Sequence, residues 1–289
     1  MYRASDGYLL HVRHWRPAGA VRGVVVSLHG IQSHSGWYAY SSSRLAAAGY
    51  KVFFLDRRGS GLNRSQRGHA IHEERLLNDI RQFLGRLSDD QPDIAGVPRV
   101  LTGVSWGGKL AAAYAAAHPR DFQAVALLYP GLYSRLQPQW WQRLRLAYAA
   151  SNEWGHVTAP IPLNEPELFT DSAKWRDFIH RDELALQRVS VDFLRSNLRL
   201  TKLIEDRAAA IDVPVLMMLA GRDDVIDNAR SRAWFERLTT SRKKLVEYPA
   251  ARHTLEFEEE PDRFIDELIA WLNTAVSDPD ASSVRVTSR

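Results

Sequence analysis

Short, almost wholly apolar runs alternate along the chain with longer segments whose apolar residues recur at helical spacing. Gly23-Val24-Val25-Val26-Ser27-Leu28 and the runs 50–56, 100–104, 122–129 and 213–220 read as buried strands, with an earlier strand at 8–15 and a later one at 244–248. Residues 37–48, 74–87, 227–238 and 261–274 suit helices, and the alanine-rich stretch 111–117 favours a helix by composition. Strands alternating with helices predict an α/β fold: a mostly parallel sheet flanked by helices on both faces, with its functional loops at the carboxyl ends of the strands.

The alternation stops between residues 131 and 212. That segment is rich in Trp, Arg and Leu and is broken by Pro138, Pro160, Pro162 and Pro166. It is expected to be a helical insertion placed after the sixth core strand, lying over the carboxyl edge of the sheet as a cap or lid. The core is then residues 1–130 and 213–275, the cap 131–212, and the Ser/Asp-rich end 276–289 a loose tail. No internal repeat or low-complexity segment is evident.

Candidate chemistry enters with Gly103-Val104-Ser105-Trp106-Gly107, a GxSxG motif between an apolar run and a helix-favouring one. Glycines two before and two after the serine permit a turn sharp enough to expose Oγ, and the following amide sits at a helix N-terminus, where developing oxyanion charge is stabilised. Gly103 to Lys109 also satisfies GxxxxGK, the pattern of a phosphate-binding loop. The next residue is Leu110, so the magnesium-ligating hydroxyl of that loop is missing, and the nucleophile reading is preferred.

A serine hydroxyl needs a base, and the base needs an orienting acid. His253 lies in the loop after the strand 244–248, and Gly221-Arg222-Asp223-Asp224 follows the strand 213–220. The order serine, acid, histidine is that of the nucleophile-elbow hydrolases. Asp224 stands at the preferred spacing after Gly221, with Asp223 read as a turn residue and Asp227 as a helix N-cap. Two oxyanion amides are required, and Trp106 and Ile31 are placed to supply them. His29 reads as a structural loop residue, and His34 as either loop support or a substrate contact.

Charge and composition change little. The 289 residues are 45% hydrophobic with a formal net charge of +4, and the basic excess is interleaved with acidic residues, so a solvated basic surface is preferred over a nucleic-acid partner. The absence of cysteine removes disulfides, thiol nucleophiles and cysteine metal sites. Residues 1–16 mix charges through their apolar positions, and no stretch is long and apolar enough to span a bilayer, so a cytoplasmic location is expected. Peripheral membrane contact is not indicated, since no basic amphipathic stripe stands out.

Five ordered motifs, spread over nearly the whole chain, carry a resemblance. His29-Gly30-Ile31-Gln32-Ser33-His34-Ser35-Gly36-Trp37-Tyr38 resembles the HGxxxHSxxY loop of the monoacylglycerol lipase and lysophospholipase branch of the α/β-hydrolases, often called the serine aminopeptidase family. Asp56-Arg57-Arg58-Gly59-Ser60-Gly61 resembles its D-x-R-G-x-G turn, Gly103 to Gly107 its elbow, Gly221 to Asp224 its G-x-x-D acid loop, and His253 its base. The resemblance implies an α/β-hydrolase fold and a serine hydrolase with the triad Ser105, Asp224 and His253, oxyanion amides from Ile31 and Trp106, and no metal or organic cofactor. Trp106 departs from the family, where a smaller or more flexible residue is common, as does Ile31-Gln32-Ser33.

The expected substrate is a hydrophobic, lipid-like ester. His34, Trp140, Trp141 and Trp154 are candidate substrate contacts, and Leu136, Trp175 and Phe178 further apolar ones, although a small cap core would use the same residues. Amide or peptide cleavage and acyl transfer on the same triad remain open, an aminopeptidase requiring a cap carboxylate such as Glu153, Glu165 or Glu167. A hydrolase-fold binding protein without turnover is the reading from another class.

Overall fold

The computed structural model describes residues 1–136 and 154–277. A short ribbon pairs β1 (Tyr2–Arg3) with β2 (Leu9–Leu10). The main sheet has seven strands: β3 (Val12–Trp15), β4 (Gly23–Leu28), β5 (Tyr50–Leu55), β6 (Arg99–Val104), β7 (Ala124–Leu128), β10 (Val215–Ala220) and β11 (Lys243–Tyr248), in the spatial order β11-β10-β7-β6-β4-β5-β3. All neighbours are parallel except β3, which runs antiparallel to β5. Strands β4, β5, β6, β7 and β10 are buried at every position, as expected of parallel strands covered on both faces. Edge strand β11 instead carries exposed Lys244 and Glu247.

Helices α1 (Ala39–Ala47), α2 (Glu73–Asp90), α3 (Trp106–Ala117), α6 (Asn228–Glu236) and α7 (Asp262–Val276) flank the sheet. The side chain of Asp227 accepts from the Arg230 amide at 3.0 Å and caps α6, which explains why that helix starts there. The expected first strand is interrupted, with β2 and β3 separated at His11. The chain leaves the main sheet after β7, which is its fifth strand in chain order and not the expected sixth.

Between β7 and β10 the described residues hold helices α4 (Ala173–Arg181) and α5 (Val191–Asp206) and a ribbon that pairs β8 (Thr158–Pro160) with β9 (Arg188–Ser190). The segment is therefore not purely helical, because its prolines break it into short extended pieces. Helix α5 packs on α3, and Leu186 N–H donates to the Gln32 carbonyl at 2.9 Å. The expected tail lies outside the described residues beyond Ser277, as do Trp140, Trp141 and Glu153. No helix among the described residues is long and apolar enough to cross a membrane.

Candidate active site

The carboxyl ends of the six parallel strands lie along one edge of the sheet. Ser105 stands between β6 and α3 at φ 50°, ψ −124°, a left-handed conformation rare for a side-chain-bearing residue. The turn survives because Gly107 has no β-carbon, which would press into the carbonyl oxygens of Leu28 and His29. Ser105 N–H is tied to the Leu128 carbonyl at 3.0 Å. Gly30 keeps the loop after β4 against the serine: a β-carbon there would lie 3.3 Å from Ser105 Cβ and 3.6 Å from its Oγ.

His253 reaches Ser105 from the loop after β11. Its Nε2 accepts from Ser105 Oγ at 2.8 Å, and its Nδ1–H donates to Asp223 Oδ2 at 2.7 Å. His253 and Asp223 are almost fully buried, and Tyr129 and Phe169 meet the imidazole edge to face at 5.3 and 5.8 Å. Expected Ser105 and His253 are thus brought together.

Asp224 is not part of this chain of hydrogen bonds, which corrects the expectation that it orients His253. Its carboxylate is exposed and pairs with Arg252 at 2.6 Å, with Arg135 at 4.0 Å. In the turn that follows β10, Arg222 and Asp224 are exposed while Asp223 and Val225 are buried. Asp223 also fulfils its expected turn role, since Oδ1 accepts from the Val225 and Ile226 amides at 2.8 and 2.9 Å. One oxygen is fixed by the turn, and the other is left for the histidine.

The loop after β4 is held by its own histidines. His29 Nδ1–H donates to the Gly30 carbonyl at 2.7 Å, while Nε2 accepts from the Arg57 amide at 2.9 Å. This orients the Gly30–Ile31 peptide, and burial, with the Arg57 charge, pulls His29 down to about 3 and keeps it neutral. His34 Nδ1 accepts from the Gly36 amide, and Nε2–H donates to Asp182 Oδ2 at 3.1 Å, an oxygen that also takes the Trp37 indole N–H at 2.6 Å. His34 is accordingly a tie between this loop and the segment over it, not a wall of the cleft.

The cleft around Ser105 and His253 is lined by Ile31, Tyr38, Tyr129, Leu163 and Phe169, among others. Leu163 and Phe169 were not singled out from the sequence, because they lie in an irregular stretch without periodicity. Trp154 is instead about half exposed at 48% and does not line the cleft. Trp175 stacks on Phe257 at 4.5 Å and Phe178 meets Trp37 at 5.9 Å, so both fill the seam between the inserted segment and the core. Trp106 Nε1–H and Lys109 Nζ both donate to Asn197 Oδ1 of α5 at 2.9 Å. Lys109, buried and pulled down to about 7 by that burial, therefore faces neutral acceptors rather than a phosphate cradle.

Three residues beyond His253, Glu256 is buried and accepts from the Ser41 amide at 3.0 Å. Burial pushes its carboxyl up from 4.5 to about 7. The folded protein then holds a proton that the unfolded chain gives up, so stability falls as pH rises from about 4.5 to about 7 and stays lower above. Glu256→Gln keeps the acceptor and removes this loss. It is expected to gain about 3 kcal/mol at pH 8, roughly 6 °C in Tm, with no gain at pH 4. Thermal melts at the two pH values check it; an equal gain at both would assign the effect to packing instead.

An apolar cleft at the carboxyl edge of a parallel sheet, with a serine at a strained strand-to-helix turn, defines the α/β-hydrolase class. The family described as "Serine aminopeptidase, S33" matches residues 19–260, and the chain belongs to it. It is thus a hydrolase of the monoacylglycerol lipase-like branch. It is 28% identical over 269 residues to a monoacylglycerol lipase of Mycolicibacterium smegmatis, covering 89% of this chain and 90% of that one. The human monoglyceride lipase is 24% identical over 272 residues, covering 93% and 88%. The structure of a soluble variant of the Saccharomyces cerevisiae monoglyceride lipase with a substrate analogue superposes with a TM-score of 0.85 at 21% identity, over 96% of each chain. That of the Paleococcus ferrophilus monoacylglycerol lipase gives 0.82 at 24% identity, over 92% of this chain and 99% of that one.

Proposed function

We propose that the protein cleaves a hydrophobic carboxylic ester of monoacylglycerol type through a triad of Ser105, His253 and Asp223 and an acyl-enzyme. The observation that carries this reading is the unbroken hydrogen-bond chain from Ser105 Oγ to Asp223 Oδ2 beneath an apolar cleft. His253 takes the Ser105 proton as Oγ attacks the ester carbonyl, and the amides of Ile31 and Trp106 stabilise the oxyanion. His253 then protonates the leaving alcohol, and water, deprotonated by the same imidazole, releases the acid. The segment 131–212 acts as the cap that shields the acyl group and supplies Leu163 and Phe169 to its pocket.

The ester reading is preferred over aminopeptidase chemistry because the described residues lining the cleft include no Asp or Glu to hold a substrate ammonium. The relatives named as monoacylglycerol lipases support the same choice. A fluorophosphonate is expected to add one mass increment per chain, and digestion to place it on Ser105. An ester panel should then favour acyl glycerols over amino-acid anilides. A folded protein that takes up no label would put the hydrolase-fold binding protein ahead of this reading.

A further inference from the structure

Arg57 stands in the turn after β5, at the variable position between Asp56 and Arg58, and is buried at 7% exposure. Its Nη2 donates to the Ile31 carbonyl at 2.7 Å. Its cationic carbon lies 5.0 Å from the Trp106 ring and 5.2 Å from the Phe193 ring, two rings that are themselves 4.9 Å apart. Among the described residues, Nε and Nη1 have no hydrogen-bond partner. The buried Asp56 carboxylate favours the charge through space, but its oxygens accept from the Ser35 and Leu62 amides instead. Burial pulls Arg57 down to about 9.

A buried cation with unsatisfied donors and no carboxylate bonded to it destabilises the fold that holds it. Such a group persists where it serves the site rather than the core. What Arg57 touches indicates the service. The two peptide planes on either side of Ile31 Cα are each pinned through their carbonyls, Gly30 by His29 and Ile31 by Arg57. Trp106 is fixed at its edge by Asn197 and on its face by Arg57.

We infer that Arg57 is a positioning residue of the oxyanion hole: by holding the Ile31 carbonyl and stacking on Trp106, it sets the separation of the two residues whose amides form the hole. The inference rests on the proposed roles of Ser105 and these amides. An oxyanion-hole donor is worth about 10²- to 10³-fold in rate, so letting two donors drift without removing either is expected to cost about 10-fold or more.

The test measures Arg57→Met and Arg57→Lys against the wild type. The readouts are kcat per fluorophosphonate-titrated site, KM, inhibition by an alkyl trifluoromethyl ketone, and Tm. The ketone accepts Ser105 Oγ at its carbonyl carbon and forms a hemiketal oxyanion, while the serine proton goes to His253, so its binding reports the hole directly. Arg57→Met is expected to lose about 10-fold in kcat per titrated site and a similar factor in ketone affinity. KM should stay within about 2-fold and Tm should be unchanged or higher. Arg57→Lys keeps a cation over the rings and one donor, and should recover part of both losses.

Wild-type kcat and ketone affinity in Arg57→Met overturn the inference. So does a loss confined to Tm and to the titratable fraction, since that is what a purely structural arginine would give. Should Arg57→Met fail to fold, Arg57→Lys decides, with parallel losses of about 3-fold supporting the inference and wild-type values ending it. Failure of the underlying reading looks different, because the wild type would then take no label on Ser105.

Discussion

Ser105→Ala is expected to lower kcat by about 10⁵- to 10⁶-fold, equivalent to about 7 to 8 kcal/mol of barrier, while leaving the fold intact. The expectation follows from geometry that is otherwise hard to explain. A serine at φ 50° carries conformational strain, and the only side-chain partner of its Oγ is the buried His253 at 2.8 Å, among the described residues. Alanine keeps the small β-carbon that this turn already accommodates, so Tm should change little. The double variant Ser105→Ala/His253→Ala should lose no more than either parent, because groups that act as one unit are not additive. Residual turnover within 10-fold of the wild type would remove Ser105 from the mechanism.

The fold was legible wherever burial is uniform. Strands β4, β6, β7 and β10 are covered on both faces, so their apolar runs need no alternation to be recognised. The serine was legible for a related reason, since an elbow is specified by neighbours in the chain: glycines at 103 and 107, a strand before and a helix after. Other features depended on contacts that local patterns do not carry. His34 could be read two ways because its partner, Asp182, lies 148 positions away. Trp175 and Phe178 have the apolar character of a pocket wall, yet helical spacing does not say whether an inward face meets a substrate or the Phe257 ring.

Spacing after Gly221 does not show that Asp223 can fill a turn role and orient the proposed base at once. Its two oxygens divide the work: Oδ1 binds the Val225 and Ile226 amides and Oδ2 binds His253. The turn therefore does for the carboxylate what a supporting hydrogen bond does for any oriented group, fixing the side chain before the histidine arrives.

That division of labour makes Asp223→Asn a sharp experiment, expected to lower kcat by about 10⁴-fold at neutral pH. The asparagine oxygen must take the place of Oδ1, because two backbone N–H groups point at it. The amide NH₂ is then forced toward His253 Nδ1, which has to become an acceptor. The ring proton moves to Nε2, and His253 can no longer receive the proton of Ser105. Fold and substrate binding should be nearly unchanged, so KM stays within a few-fold. Asp224→Asn is the matched control. It removes only exposed ion pairs with Arg252 and Arg135, worth about 0.5 kcal/mol, and should keep kcat within about 2-fold. Steady-state kinetics on one ester substrate compare the two. A large loss in Asp224→Asn beside a near-normal Asp223→Asn would reverse the assignment and return the acid's role to the residue that the spacing after Gly221 first suggested.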